Sequence, residues 1–286
     1  MRTPGAATRL VGGLGEIAPA YDAIFCDILG VIHNGEGIDP LACEALRRFR
    51  RERGQVILVS NAPVPSTRIA SQLAGLGVPS DSFDAVVSSG DAARLEFKAR
   101  APGPVYRIGP SFDAPLYEGL DLEFTTGADA VFIACAGLRN MPDDEPEAYR
   151  DELEDLAARG LEMICANPDT VYRRGDRLVW CAGALAEIYE GFGGSVVRLG
   201  KPGPRIYALA REHLGAATRL SSHRVLAIGD GPATDVAGAA REGMDSLFIG
   251  SGIHGLAASE DFLARAVAVL DEHRVCGTYA SPALCW

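Results

Sequence analysis

No apolar run in this 286-residue chain approaches the length that crosses a bilayer. The most hydrophobic stretch runs only from Ala130 to Ala136, whereas a spanning helix needs about 20 such residues. Gly12, Gly13 and Gly15 interrupt the N-terminal segment, which carries Arg2 and Arg9 but no signal-like apolar core. Membrane is therefore not an expected partner. A basic patch is missing too: 27 Lys and Arg stand against 38 Asp and Glu, a formal net charge of −11, and the basic residues are scattered. Nucleic acid and anionic surfaces reward a basic face, so neither is expected here. Lysine is scarce, with only Lys98 and Lys201.

Cysteine is present without a pattern. Cys26, Cys43, Cys135, Cys165, Cys181, Cys276 and Cys285 are odd in number, widely spaced and form no CxxC pair. That argues against a disulfide framework or zinc site and for a reduced, cytoplasmic protein. Nucleotide-loop signatures fail on context. Gly200-Lys201 is followed by Pro202 instead of Ser or Thr, and Gly13-x-Gly15 precedes a strand where a dinucleotide turn would follow one. Gly229-x-Gly231 does follow a strand, but Asp230 between its glycines would repel a pyrophosphate.

What the chain does contain is a core's worth of apolar residues, 48%, with an ordinary 23% charged. Its length suits one large domain or a domain with a substantial insertion. Short β-rich runs alternate with helical patterns, the mark of βα units around a parallel sheet. Expected core strands are Ala23–Cys26, Val56–Val59, Ala85–Val87, Val196–Leu199, Val225–Ile228 and Ser246–Ile249. A helix is expected near Leu41–Arg53, stopped by Gly54. Strands at Val105–Ile108, Ala130–Ala134 and Glu162–Cys165, with a helix over Glu145–Arg159, make a second βα module. The division expected is a core from residues 1–89 and 183–286, with an inserted α/β domain at 90–182. The segment after Cys276 gives no clear pattern and reads as a tail packed on the core.

Carboxylates stand where strands end. Asp27 closes the apolar run from Ala23, and Asp230 and Asp235 follow the run from Val225. In open α/β sheets such tips form the ligand crevice, and an acidic group there needs a cation or hydrogen-bond donors. Two strands each delivering a carboxylate suggest a site for a hard metal ion. Taken singly, each segment has an ordinary reading: Asp230-Gly231-Pro232 and Asn167-Pro168-Asp169 are good turns, Ser60-Asn61 could cap the helix after Pro65, and a lone lysine is usually solvated.

Four segments in order are more specific: Asp27-Ile28-Leu29-Gly30-Val31, Val59-Ser60-Asn61-Ala62, Gly200-Lys201-Pro202, and Gly229-Asp230-Gly231-Pro232-Ala233-Thr234-Asp235. Together, from about Tyr21 to about Ile253, they resemble the haloacid dehalogenase-like (HAD) superfamily. The large insert, with Ala166-Asn167-Pro168-Asp169 and Gly183-Ala184-Leu185, resembles its subfamily IIA of p-nitrophenyl phosphatase-like proteins. The resemblance implies a Rossmann-like, doubly wound parallel sheet with an inserted α/β cap. It implies Mg²⁺-dependent hydrolysis of a small phosphorylated metabolite through a phosphoaspartate on Asp27, and a homodimer as an assembly common in that subfamily. Asp27, the Leu29 main-chain carbonyl and Asp230 would hold Mg²⁺, with Asp235 orienting a metal-bound water or Lys201. Ser60, Asn61 and Lys201 would bind phosphate, and Gly30, Gly200 and Gly231 fit places of close backbone approach.

One position departs from the pattern. The superfamily's phosphatases normally carry a second aspartate two residues after the nucleophile, as acid and base for the leaving group and water. Here it is Leu29, which cannot move a proton. Losing such a group typically costs about 10²–10⁴ in rate. The alternatives are restriction to good leaving groups with help from His33 or water, a different superfamily reaction using Lys98 as a cap lysine, or a phosphate-ligand-binding or regulatory protein with little turnover. Asn167 and Asp169 are further residues able to face a substrate from the insert.

Overall fold

The computed structural model describes residues 8–175, 177–214, 221, 224–256 and 260–286. In chain order it begins with β1 (Arg9–Leu10), β2 (Ala23–Cys26), α1 (Pro40–Glu52), β3 (Gln55–Ser60), α2 (Ser66–Leu76), β4 (Ala85–Ser88) and α3 (Ser89–Arg100). A second group follows: β5 (Val105–Ile108), β6 (Phe124–Thr125), β7 (Phe132–Cys135), α4 (Arg150–Ala158), β8 (Glu162–Cys165), β9 (Val171–Arg174), β10 (Arg177–Trp180), α5 (Ala182–Gly191) and β11 (Ser195–Arg198). The chain returns through α6 (Pro204–Glu212), β12 (Val225–Gly229), α7 (Ala237–Arg241), β13 (Asp245–Ile249), α8 (Phe262–Glu272) and β14 (Tyr279–Ser281).

The first sheet is parallel throughout, in the order β1-β14-β13-β12-β2-β3-β4. Its inner strands β2, β3, β12 and β13 are buried on both faces, which is why they read as apolar runs without alternation. Ile24 and Cys26 of β2 pack with Ala42, Leu46 and Phe49 of α1, while Ala23 and Phe25 point to the opposite layer with Ile206 and Tyr207 of α6. Helix α1 starts where Asp39 caps it, its carboxylate accepting from the amides of Leu41 and Ala42, with Pro40 in the first turn. After the helix, Gly54 N–H bonds back to the Phe49 carbonyl at 3.2 Å, closing the helix end.

The second sheet, β11-β8-β7-β5-β6, is also parallel. One face is covered by α4 and α5, through Leu153, Leu156, Leu185 and Tyr189, and the other by Phe97 of α3. Two expectations change here. The run at 196–199 was expected in the core sheet, but β11 pairs with β8 in the second sheet, in register Val196 to Met163 and Val197 to Ile164. Helix α5 packs with that sheet as well, so the second layer extends past residue 183 to Arg198. β11 is the edge strand of the second sheet, and a short apolar run such as Val196-Val197 carries no mark of which sheet it joins. The C-terminal segment is also more than a tail: β14 pairs with β13 and with β1 in the core sheet. The expected helix at 145–159 forms as a 3₁₀ turn, Pro146–Tyr149, leading into α4.

The chain moves from β2 toward β3 and β4 on one side, and from β12 toward β13 and β14 on the other. The gap between adjacent β2 and β12 is thus the topological switch point, where open α/β sheets bind ligands. Asp27 and Asp230 come off these two strands. Replacement of Asp39 by Ala should lower the unfolding free energy by about 1 kcal/mol, read as a shift in urea midpoint at constant slope. An unchanged midpoint would show that the cap contributes nothing.

Candidate active site

The end of β2 is held against β12, with Asp27 N–H donating to the Ile228 carbonyl at 2.8 Å. This fixes the Asp27 side chain at the C-terminal end of the sheet, 12% exposed. Asp230 follows on the neighbouring strand, and Asp235 lies in a single π turn, Pro232–Val236, of the kind often found at functional sites. One carboxylate oxygen from each of Asp27, Asp230 and Asp235 lies within 4.8 Å of the others.

Such a cluster of like charges is sustained by what surrounds it. Lys201 is 3% exposed, and its Nζ stands 2.5 Å from Asp27 Oδ1 and 2.8 Å from Asp235 Oδ1. Burial pushes the Lys201 ammonium toward neutrality, yet Asp235 and Asp27 more than offset this and hold its pKa well above the ordinary lysine value. Asp235 also accepts from the Gly231 amide at 3.0 Å. Asp230 forms no ion pair among the described residues; its Oδ2 accepts from the Ile253 amide at 2.6 Å. Burial, then the charges of Asp27 and Asp235, drive its pKa well above the carboxylate range. Burial also raises Asp27, against the pull of Lys201, and raises Asp235 to about 6.

Close approach of backbone makes the arrangement fit. Gly30 has φ +88, and a Cβ there would sit 2.1 Å from Asp230 Oδ2. Gly200, φ +134, lets the chain carry Lys201 past Asn61 and Pro168; a Cβ would stand 2.6 Å from Asn61 Oδ1. Both positions need glycine for conformation as well as space.

On the other side of Asp27, Ser60 ends β3. Its hydroxyl accepts from the Ala62 amide at 3.1 Å, which leaves its own hydrogen to donate. Asn61 is a junction: Oδ1 accepts from Lys201 N–H at 2.7 Å, and Nδ2 donates to the Lys201 carbonyl at 3.2 Å and to Asp169 Oδ1 at 2.8 Å. Ser60 and Asn61 do not cap α2, which begins after Pro65 with its Ser66 amide bonded to Asp91. All these side chains line one crevice of about 1260 Å³ between the two sheets' loops.

The sequence-derived residues Asp27, Leu29, Ser60, Asn61, Lys201, Asp230 and Asp235 all reach this crevice, as do Asn167 and Asp169. Leu29 is half-buried on its wall. His33 also lines it, but its Nδ1 accepts from the Gly35 amide at 3.0 Å and burial lowers its pKa. With Nδ1 engaged by that amide, Nε2 is the ring nitrogen left to other partners. Lys98 is exposed on α3 and does not line the crevice. Sequence reading missed Tyr172 and Arg173 of β9, which also line it; Arg173 Nε donates to the Ile253 carbonyl at 3.1 Å. The only hint was the polar run Tyr172-Arg173-Arg174 directly after Asn167-Pro168-Asp169.

Three converging carboxylates, with no sulfur or imidazole, form an oxygen donor set that suits a hard divalent cation such as Mg²⁺. The uncompensated Asp230 is the clearest sign of fit. Without a cation the cluster should be a stability liability. Because Asp235 is raised to about 6 in the folded state, above an ordinary aspartate near 3.9, the folded protein keeps a proton that the unfolded chain has lost. That stabilisation is full below the unfolded value and gone once pH passes the folded value. In chelator, the melting temperature should therefore fall between about pH 4 and 6. Asp230→Asn should flatten that fall and raise chelated stability by on the order of 1 kcal/mol at neutral pH. Lys201→Met should cost about 3–5 kcal/mol. Differential scanning fluorimetry reads all three, and a destabilised Asp230→Asn would contradict the charge balance described.

Comparison with known proteins agrees with this geometry. The model of the haloacid dehalogenase-like hydrolases matches residues 24–123, and that described as HAD-hydrolase-like matches 198–274. A crystal structure of a haloacid dehalogenase-like family hydrolase from Brucella suis 1330 superposes with a TM-score of 0.85 at 37% identity, covering 96% of this chain and all of that one. Chronophin of Rattus norvegicus is 28% identical over 92% of this chain and 85% of its own length. The ribonucleotide monophosphatase NagD of Escherichia coli K12 is 27% identical over 82% of this chain and 89% of its own. With both halves of its first sheet matched and a solved relative aligned over nearly its full length, the chain belongs to the haloacid dehalogenase-like hydrolases.

Proposed function

We propose that this hydrolase is a Mg²⁺-dependent phosphatase that cleaves a small phosphomonoester through a phosphoaspartate on Asp27. The observation that carries the reading is the placement of Asp27 at the switch point, between the Lys201 ammonium on one side and Asp230 on the other. The monophosphatase activity named for the NagD relative supports the same reaction class.

Each side chain has a defined task. Lys201 holds Asp27 Oδ1, and Oδ2 is the oxygen that attacks phosphorus. The ammonium offers its positive charge to the phosphoryl oxygens, and the Ser60 hydroxyl donates to one of them. Asp27, Asp230 and the Leu29 carbonyl would hold Mg²⁺, which when bound neutralises phosphoryl charge. Asp235 keeps Lys201 in place and protonated. Strand β9 and the loop at Ile253 flank the crevice, joined by the Arg173 hydrogen bond to the Ile253 carbonyl.

The second reading, a phosphate-ligand-binding protein with little turnover, is favoured by Leu29 alone. Losing the acid there removes about 3–5 kcal/mol of barrier lowering, but an ester with a good leaving group needs little of it. Hydrolysis of p-nitrophenyl phosphate with and without Mg²⁺ separates the readings. Metal-dependent turnover that disappears in Asp27→Asn is expected. Thermal stabilisation by inorganic phosphate, with no turnover above the Asp27→Asn blank, would establish the binding protein instead.

A further inference from the structure

If the reaction is phosphomonoester hydrolysis, a proton must reach the leaving oxygen and another must leave the attacking water, and Leu29 can do neither. The crevice carboxyls can be taken in turn. Asp27, Asp230 and Asp235 are committed to the cation cluster. Asp39 is occupied in capping α1. Asp113 is paired with Arg107. Glu36 and Glu187 are exposed on the crevice rim. His33 has Nδ1 engaged by the Gly35 amide.

Asp169 shares half-burial and a single engaged oxygen with Asp39 but differs in its connection, through Asn61, to the Lys201–Asp27 pair. It is half-buried, forms no ion pair among the described residues, and its side-chain hydrogen bond from Asn61 engages Oδ1 only. Its own amide is tied to Asn167 Oδ1 at 3.1 Å, which sets its direction. Through Asn61 it is linked to the Lys201 backbone, and through Lys201 Nζ to Asp27. It enters from the junction with the second sheet, directly after β8. An in-line attack by Asp27 expels the leaving group away from the first sheet, toward that side.

We propose that Asp169 is the acid–base residue of this enzyme, taking the part that Leu29 cannot. In the first step Asp27 Oδ2 bonds to phosphorus, the ester P–O bond breaks, and the proton on Asp169 passes to the departing oxygen. In the second, the Asp169 carboxylate takes a proton from water as its oxygen bonds to phosphorus. The bond to Asp27 then breaks, and inorganic phosphate leaves. Burial lifts the Asp169 carboxyl to about 6, against the Asn61 hydrogen bond and the Lys201 charge and with the help of Asp235. It can therefore hold or release a proton near neutral pH.

The assignment rests on the phosphatase reading, and leaving-group dependence tests it separately. Asp169→Asn keeps an oxygen to accept from Asn61, so the fold should persist, as a melting curve checks. With phenyl phosphate, whose leaving group needs protonation, kcat/KM should fall about 10²-fold or more. With p-nitrophenyl phosphate, whose leaving group does not, it should fall far less. Adding Leu29→Asp to Asp169→Asn should restore phenyl phosphate turnover. Equal losses on both esters, no loss on either, or no rescue by Leu29→Asp would overturn the assignment. If the unmodified enzyme hydrolyses neither ester, the phosphatase reading itself fails.

Discussion

A single buried ammonium holds this site together. Lys201 sits between Asp27 and Asp235, nearly inaccessible to water, and is the only lysine in the crevice. Three carboxylates converging on one point would otherwise repel one another in a medium that solvates charge poorly. The ammonium compensates two of them and leaves Asp230 with a backbone amide. That imbalance suits the cluster to a hard cation. The same ammonium restrains Asp27 through Oδ1.

Much of the remaining architecture positions this ion pair. The switch between β2 and β12 brings Asp27 beside Asp230, and glycine at position 30 lets the loop pass above it. Lys201 arrives from the other direction, at the end of the chain segment that leaves β11 in the second sheet. Asn61 clamps the Lys201 backbone on both its amide and its carbonyl while also holding Asp169. The two sheets therefore meet at the chemistry itself, and a change at Asn61 reaches the core loop, the lysine and Asp169 at once.

Strand ends were legible because a buried parallel strand needs an unbroken apolar run, and β2, β3, β12 and β13 each have one that stops at a polar residue. The same uniformity hid which sheet β11 joins, since Val196 and Val197 suit either. Tyr279-Ala280-Ser281 is too short to announce β14; it is a strand because β13 and β1 flank it. At the site, the order of the four segments conveyed which residues converge, and the structure brings all of them to one crevice. What the sequence could not convey were partners across long separations. Asn61 and Asp169 lie 108 residues apart, and Arg173 and Ile253 lie 80 apart. The tautomer of His33 likewise depends on a hydrogen bond made by a neighbouring amide.

The most direct test of the account is to trap its intermediate. The enzyme is mixed with p-nitrophenyl phosphate and Mg²⁺, quenched in acid during turnover and reduced with borohydride. This converts an acyl phosphate to an alcohol that marks the residue in a peptide mass spectrum. The account predicts homoserine at position 27 and nowhere else, with none in protein quenched without substrate. Steady product release with position 27 unmodified, or a label on any other carboxylate, would contradict it.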